Sequence, residues 1–260
     1  MTFQLLVAAL NADVDELITK MNIDSDAVLI NQCDSDDTYV VERGSHTIQV
    51  ISRNERGVGL SRNTALSYSS ADIVLFSDED IVYEKGYEEK VRKAFEAHPD
   101  CSVITLNVVV DPKRKTYWNE TAHPVNWKNY GRYPAYAIAA RRRDIISKDI
   151  AYSTLFGGGA KYSNGEDSLF LHDCLEAGLK IYAETQVIGE ETYRESTWFK
   201  GYTEKYFIDR GVLYHFLYKK AASLLGLRFL IKTHKDYSKE MTFLRAYALL
   251  KKGIREGKSL

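Results

Sequence analysis

Cysteine is scarce: Cys33, Cys101 and Cys174 are odd in number and far apart. They offer neither a disulfide framework nor the close pairs of structural metal and redox sites. A reducing cytoplasm is the expected setting. Long apolar runs are missing too, since no stretch approaches the roughly 20 residues that a membrane helix needs. The N-terminus carries no basic start followed by an apolar run, so the chain is expected to be neither secreted nor membrane-spanning. Net charge is nearly absent at −1, which removes any bulk electrostatic reason to bind nucleic acid. Internal repeats and low-complexity linkers are also lacking.

What is present is an ordinary globular composition. With 45% apolar residues in 260, the chain can bury a substantial core as one large α/β domain with a helical extension. Charge is unevenly placed. From residue 212 onward there are 11 Lys plus Arg against 3 Asp plus Glu, whereas residues 1–211 hold 24 against 33. The basic tail also carries Leu213, Phe216, Leu224, Leu225, Phe229 and Leu230. Such a segment suits an anionic membrane surface, a helical cap on the domain, or a homo-oligomer contact.

Short apolar runs at residues 3–9, 27–30, 47–51 and 73–76 alternate with helical patterns, the signature of a mainly parallel sheet with helical crossovers. Helices are expected after Asn11 and Asp13, near 59–69, and over 87–97. Residues 102–110 and 135–140 read as further strands, and 113–136 show no clear period. Each of the first four strands ends in a polar cluster. In open parallel sheets, ligands bind beyond those carboxyl ends.

Three constellations carry chemistry. Asp78-Glu79-Asp80 follows the apolar strand 73–76, and three acids leaving a buried strand repel one another unless a cation offsets them. Magnesium or manganese, which share oxygen ligands with substrate phosphates, would do so; a solvated turn is the plain alternative. Upstream, Gly57-Val58-Gly59-Leu60-Ser61-Arg62-Asn63 opens a helix, but the third glycine of the dinucleotide fingerprint and the Gly-Lys of a nucleotide-hydrolysis loop are absent. Gly165-Glu166-Asp167 begins a later helix. A carboxylate there is either a favourable N-terminal charge or a base held at the edge of a pocket.

In this order the three segments resemble glycosyltransferase family 2 enzymes of the GT-A fold, over about residues 3–214. The resemblance implies a Rossmann-like, mainly parallel central sheet flanked by helices, with a helical C-terminal extension. It divides the chain into a glycosyltransferase domain at 1–211 and a basic extension at 212–260. The nucleotide-sugar half would be about 1–110 and the acceptor half about 111–211. Asp80 would hold Mn2+ or Mg2+, with Asp78 touching the nucleotide sugar or metal-bound water. Ala9, Asn31, Gln32, Asp34, Arg62, Asp78 and Glu79 would line the nucleotide-sugar site. Asp167 would be the catalytic base, while Gly158, Gly159, Glu166 and Trp198 would shape the sugar or acceptor pocket.

Two features depart from the family pattern. Asn31-Gln32-Cys33-Asp34-Ser35-Asp36 replaces paired aspartates and Gly-Ser, although an amide still offers donor and acceptor to a pyrimidine edge. Where many relatives have a further His ligand, this chain has Ile188-Gly189-Glu190-Glu191-Thr192. The expected activity is inverting transfer from a UDP-sugar or similar nucleoside diphosphate sugar. Its acceptor would be a glycan or lipid-linked hydroxyl in cell-surface polysaccharide synthesis, at the cytoplasmic face of the membrane. The rivals are a nucleotidyltransferase making sugar nucleotides and a partner-dependent, non-catalytic sugar-nucleotide-binding subunit. The first would place a basic glycine-rich loop after the first strand, where this chain has Ala8-Ala9-Leu10-Asn11.

Overall fold

The computed structural model describes residues 1–192 and 201–260. Two compact units emerge: Met1–Thr154 with Glu166–Arg194, and Leu155–Gly165 with Glu195–Leu260.

The first unit is built on one mixed sheet. Its elements, in chain order, are β1 (Phe3–Leu10), α1 (Val14–Lys20), β2 (Ala27–Gln32), β3 (Asp37–Arg43), β4 (His46–Arg53), α2 (Val58–Tyr68), β5 (Ile73–Asp78), β6 (Ile81–Tyr83), α3 (Tyr87–Ala97), β7 (Val103–Val109), β8 (His123–Val125), β9 (Ile138–Arg141), α4 (Arg142–Ser147), α5 (Glu166–Glu176) and β10 (Ile181–Glu191). The sheet order is β3-β4-β2-β1-β5-β9-β7-β10-β6, with β8 paired to β10. β4, β2, β1 and β5 are parallel neighbours, and β7 pairs parallel with β10. β3, β6, β8 and β9 pair antiparallel.

The central strands are almost wholly apolar because helices cover both faces of a parallel sheet. Every residue of β2 is buried, as are the first five of β5. Phe3, Leu5, Leu29, Val50, Leu75, Tyr87 and Phe95 belong to one continuous core. Within it Ser25 Oγ and Tyr87 OH lie 2.7 Å apart, which satisfies both buried hydroxyls. The parallel arrangement brings the carboxyl ends of β1, β2, β4 and β5 to one edge.

Several expectations need correction. Residues 135–140 do not form one strand: Ala135–Ala137 make a 3₁₀ turn after Pro134, and β9 starts at Ile138. The irregular stretch before it contains β8 and a second 3₁₀ turn, Tyr130–Arg132. β3, β6 and β10 were not expected from apolar runs.

The second unit contains α6 (Glu204–Tyr218), α7 (Ala222–Lys232), α8 (His234–Tyr237) and α9 (Phe243–Gly257). Thr203 and Thr242 cap α6 and α9 by accepting from the backbone N–H groups of Tyr206 and Arg245. Phe207, Leu230, Tyr237, Ala246 and Leu250 form its core. α6 and α9 approach closely at Gly211 and Gly253. A Cβ on Gly211 would stand 2.2 Å from the Leu250 carbonyl, and one on Gly253 would stand 2.0 Å from that of Ile208. Among the described residues, no helix is long and apolar enough to cross a membrane.

Candidate active site

The site lies where α2, β5 and α5 converge in the first unit. α2 is drawn against the chain by Gly59, whose added Cβ would fall 2.3 Å from the Ser153 carbonyl. Asn63 fixes the same contact. Its side-chain amide donates to the Tyr152 carbonyl at 2.9 Å and accepts from the Tyr152 N–H at 2.8 Å. The Tyr152 ring then stacks on Phe170 of α5, with centroids 4.3 Å apart. Helix α2, the Tyr152 segment and α5 are thereby held together.

Arg62 projects from α2 into this junction with only 3% of its side chain exposed. Nη2 donates to Asp78 Oδ1 at 2.8 Å. Nη1 donates to Asp167 Oδ1 at 3.0 Å and to Glu166 Oε1 at 3.3 Å. The guanidinium also lies 5.0 Å from the Tyr152 ring centroid. Burial opposes its charge, but Asp78, Asp167, Tyr152 and Glu166 outweigh that cost and raise its pKa further. Nε is the one guanidinium nitrogen left buried without a hydrogen-bond partner.

Asp167 occupies the first turn of α5, and its side chain is 23% exposed. Burial, followed by the neighbouring charge of Glu166, lifts its carboxyl well above the ordinary aspartate range; Arg62 pulls in the opposite direction. The helix N-terminus favours the ionised form, yet burial prevails. A carboxyl of raised proton affinity is suited to general-base work.

The β5 exit divides its three acids. Asp78 faces Arg62, whereas Glu79 turns back and accepts from the Leu10 N–H at 2.8 Å. Asp80 is buried, and its backbone carbonyl accepts from the Thr192 N–H at 2.7 Å and from its hydroxyl at 3.0 Å. Carboxylates such as those of Asp78 and Asp80 are hard-oxygen ligands of the type used by an ion that keeps waters and shares ligands with a diphosphate. Glu191 is held by Arg114 at 2.7 Å. A separate trio on α5, His172, Asp173 and Glu176, brings its ligand atoms within 4.8 Å of one another and has the composition for a divalent cation.

The remaining expected residues separate into groups. Ala9 is buried near the end of β1, and Asp34 is exposed in the loop after β2, paired with Arg56 at 2.7 Å. The amides of Asn31 and Gln32 engage neighbouring backbone groups. Asn31 donates to the Ala12 carbonyl and accepts from its N–H, both at 3.0 Å. Gln32 does the same with Gly57, at 3.1 and 3.2 Å. These paired donors and acceptors fasten the loops after β1 and β4. Gly158 and Gly159 belong to the second unit, in a turn closed by the Ala160 N–H donating to the Gly157 carbonyl at 3.1 Å. Trp198 lies outside the described residues.

Comparison with known proteins agrees with this architecture. The model for "Glycosyl transferase family 2" matches residues 13–156, which include Arg62, Asp78 and Asp80. Among solved structures, the S. aureus TarS 1-349 complex with UDP-GlcNAc superposes with a TM-score of 0.63 at 16% identity, covering 92% of this chain and 74% of that one. The complex of the same protein with UDP gives 0.60 at 16% identity, covering 90% and 72%. No curated protein matches the chain. The likeness to TarS fixes the fold, a sheet flanked by helices with a helical region after it, and the family model matches more than half of the chain. The chain belongs to glycosyl transferase family 2 and is a glycosyltransferase of the GT-A fold.

Proposed function

We propose that the protein is an inverting glycosyltransferase moving a sugar from a UDP-sugar to a hydroxyl of a glycan or lipid-linked acceptor. Cell-surface polysaccharide assembly at the inner face of the membrane is the setting. The observation that carries this reading is the Arg62 guanidinium, which ties Asp78 at the β5 exit to Asp167 at the start of α5. It sets a carboxylate suited to the donor side beside a carboxyl suited to the acceptor side. The UDP and UDP-GlcNAc complexes of TarS support uridine as the base.

In this reading the nucleotide lies beyond the carboxyl ends of β1, β2 and β4. Ala9 and Asp34 border it, while Asn31 and Gln32 hold its loops in shape. Asp80 and Asp78 would hold Mn2+ or Mg2+, which when bound supplies positive charge against the departing diphosphate. Asp167 takes the proton of the acceptor hydroxyl as that oxygen attacks the anomeric carbon from the face opposite the diphosphate. Arg62 keeps the Asp167 carboxyl in one orientation, and Glu166 raises its affinity for the proton.

A panel of UDP-sugars, each incubated with manganese or with chelator and with saccharide acceptors, tests the proposal. The expected result is UDP release that needs both metal and acceptor, with inverted anomeric configuration in the product. Pyrophosphate release from a nucleoside triphosphate and a sugar phosphate, with no UDP release from any UDP-sugar, would overturn it.

A further inference from the structure

Helix α7 has two contrasting faces. Ala222, Gly226 and Leu230 are buried and turn toward the core of the second unit; a Cβ on Gly226 would lie 2.6 Å from Leu250. On the other face Leu224 is 71% exposed and Ile231 is 63% exposed, with half-buried Leu227 between them. A structural core does not require large aliphatic side chains turned to water one helical face apart.

Along the chain from residue 219 to 235 the charges have one sign. Lys219, Lys220, Arg228, Lys232 and Lys235 fall within residues 219–235, and no Asp or Glu occurs there. Leu224, Arg228 and Ile231 follow the spacing that places them on one side of α7, and all three are exposed. Lys220 and Lys232 are exposed as well. Aliphatic side chains at the centre of a basic rim match an anionic bilayer, where the apolar groups enter the acyl boundary and the long cations reach headgroup phosphates.

A second copy fits this face poorly. A two-fold contact would set the same patch against itself, cation against cation. The apolar strip is also one helix wide, narrow beside the ~800 Å² per partner of a stable protein interface. We infer that α7 is a membrane-docking helix that lays Leu224, Leu227 and Ile231 on an anionic lipid surface, with Arg228 and Lys232 holding the headgroups.

The test uses the full chain and needs no catalytic activity, so it stands apart from the identity of donor and acceptor. Flotation is measured with phosphatidylcholine vesicles and with vesicles containing phosphatidylglycerol, at low and high salt. The parent should float with the anionic vesicles only, and salt should release it. Arg228→Gln with Lys232→Gln should weaken partitioning roughly 30-fold, as expected from about 1 kcal/mol per basic residue near an anionic surface. Leu224→Ser with Ile231→Ser should abolish flotation while leaving the thermal midpoint and far-UV spectrum in place. Absence of flotation in the parent, equal binding to both vesicle types, or binding unchanged in both double variants would overturn the proposal. So would a concentration-dependent dimer that Leu224→Ser dissociates, without any vesicle binding, since that assigns the face to a second copy.

Discussion

Arg62 Nη1 lies 3.0 Å from Asp167 Oδ1, so a residue midway along α2 orients the carboxyl at the start of α5. The same guanidinium reaches Asp78, and Asp78 and Asp167 therefore share one buried cation. A change at any of the three alters the setting of the other two.

Asp167→Asn retains size and hydrogen bonding but cannot take a proton. Turnover should fall by at least about 100-fold, the lower end of general-base contributions, while metal-dependent donor affinity stays near the parent value. Steady-state kinetics and donor calorimetry check this. Transfer at close to the parent rate would reduce Asp167 to a charge at a helix start.

The raised proton affinity of Asp167 gives a pH signature. Burial and then Glu166 hold the carboxyl above the ordinary aspartate range, so kcat should decline on the acid side at a pH above about 3.9. The sign for stability is opposite. The folded protein binds this proton more tightly than the unfolded chain, so the contribution is complete below the ordinary aspartate value and is lost as pH rises through the raised one. A pH–rate profile of the parent measures the limb, and an unshifted aspartate limb would assign the titration to another group.

Arg62→Met removes the cation and leaves three carboxyl groups around an apolar side chain. Loss of one partner from a buried ion pair typically costs about 3–5 kcal/mol, and urea unfolding should show destabilisation of that order. Donor affinity should fall as well, because Asp78 loses its fixed orientation. Unchanged stability would mean that the carboxyls are neutral and need no cation.

Asp80→Ala should uncouple donor binding from metal. Calorimetric titration of UDP-sugar with manganese and with chelator should differ in the parent and converge in the variant. The loss should reach or exceed the ~10–100-fold in metal affinity caused by removing even an outer partner of a metal site. Equal donor affinity with and without metal in the parent would remove the ion from the mechanism.

Much of the scaffold could be read from residue pattern alone. The runs that became β1, β2, β4, β5 and β7 are rich in buried apolar residues, as strands of a covered sheet are, and α3 spans the expected 87–97. β10 escaped notice because Glu184, Thr185 and Gln186 interrupt its apolar run, where register shifts occur between Ala183 and Val187 and again before Gly189. The acidic segments at 78–80 and 166–167 were legible as candidates. The role of Arg62 was not, because its partners Glu166 and Asp167 lie 104 and 105 residues along the chain, and sequence spacing carries no record of a contact made by folding. The employment of Asn31 and Gln32 on backbone groups was hidden for the same reason.

β3 is hard to read for a different reason: none of its residues is fully buried, and Val41 packs only partly against the core. It pairs with β4 and ends the sheet on that side. β4, by contrast, carries buried Ile48, Val50 and Ile51, the kind of segment that recruits strands from other molecules when its margin is bare. With Asp37, Glu42 and Arg43 along its length, β3 caps that margin with charge. Charge on an outermost strand discourages pairing with other chains, so loss of β3 should be felt first in solubility at high protein concentration rather than in the chemistry of the site.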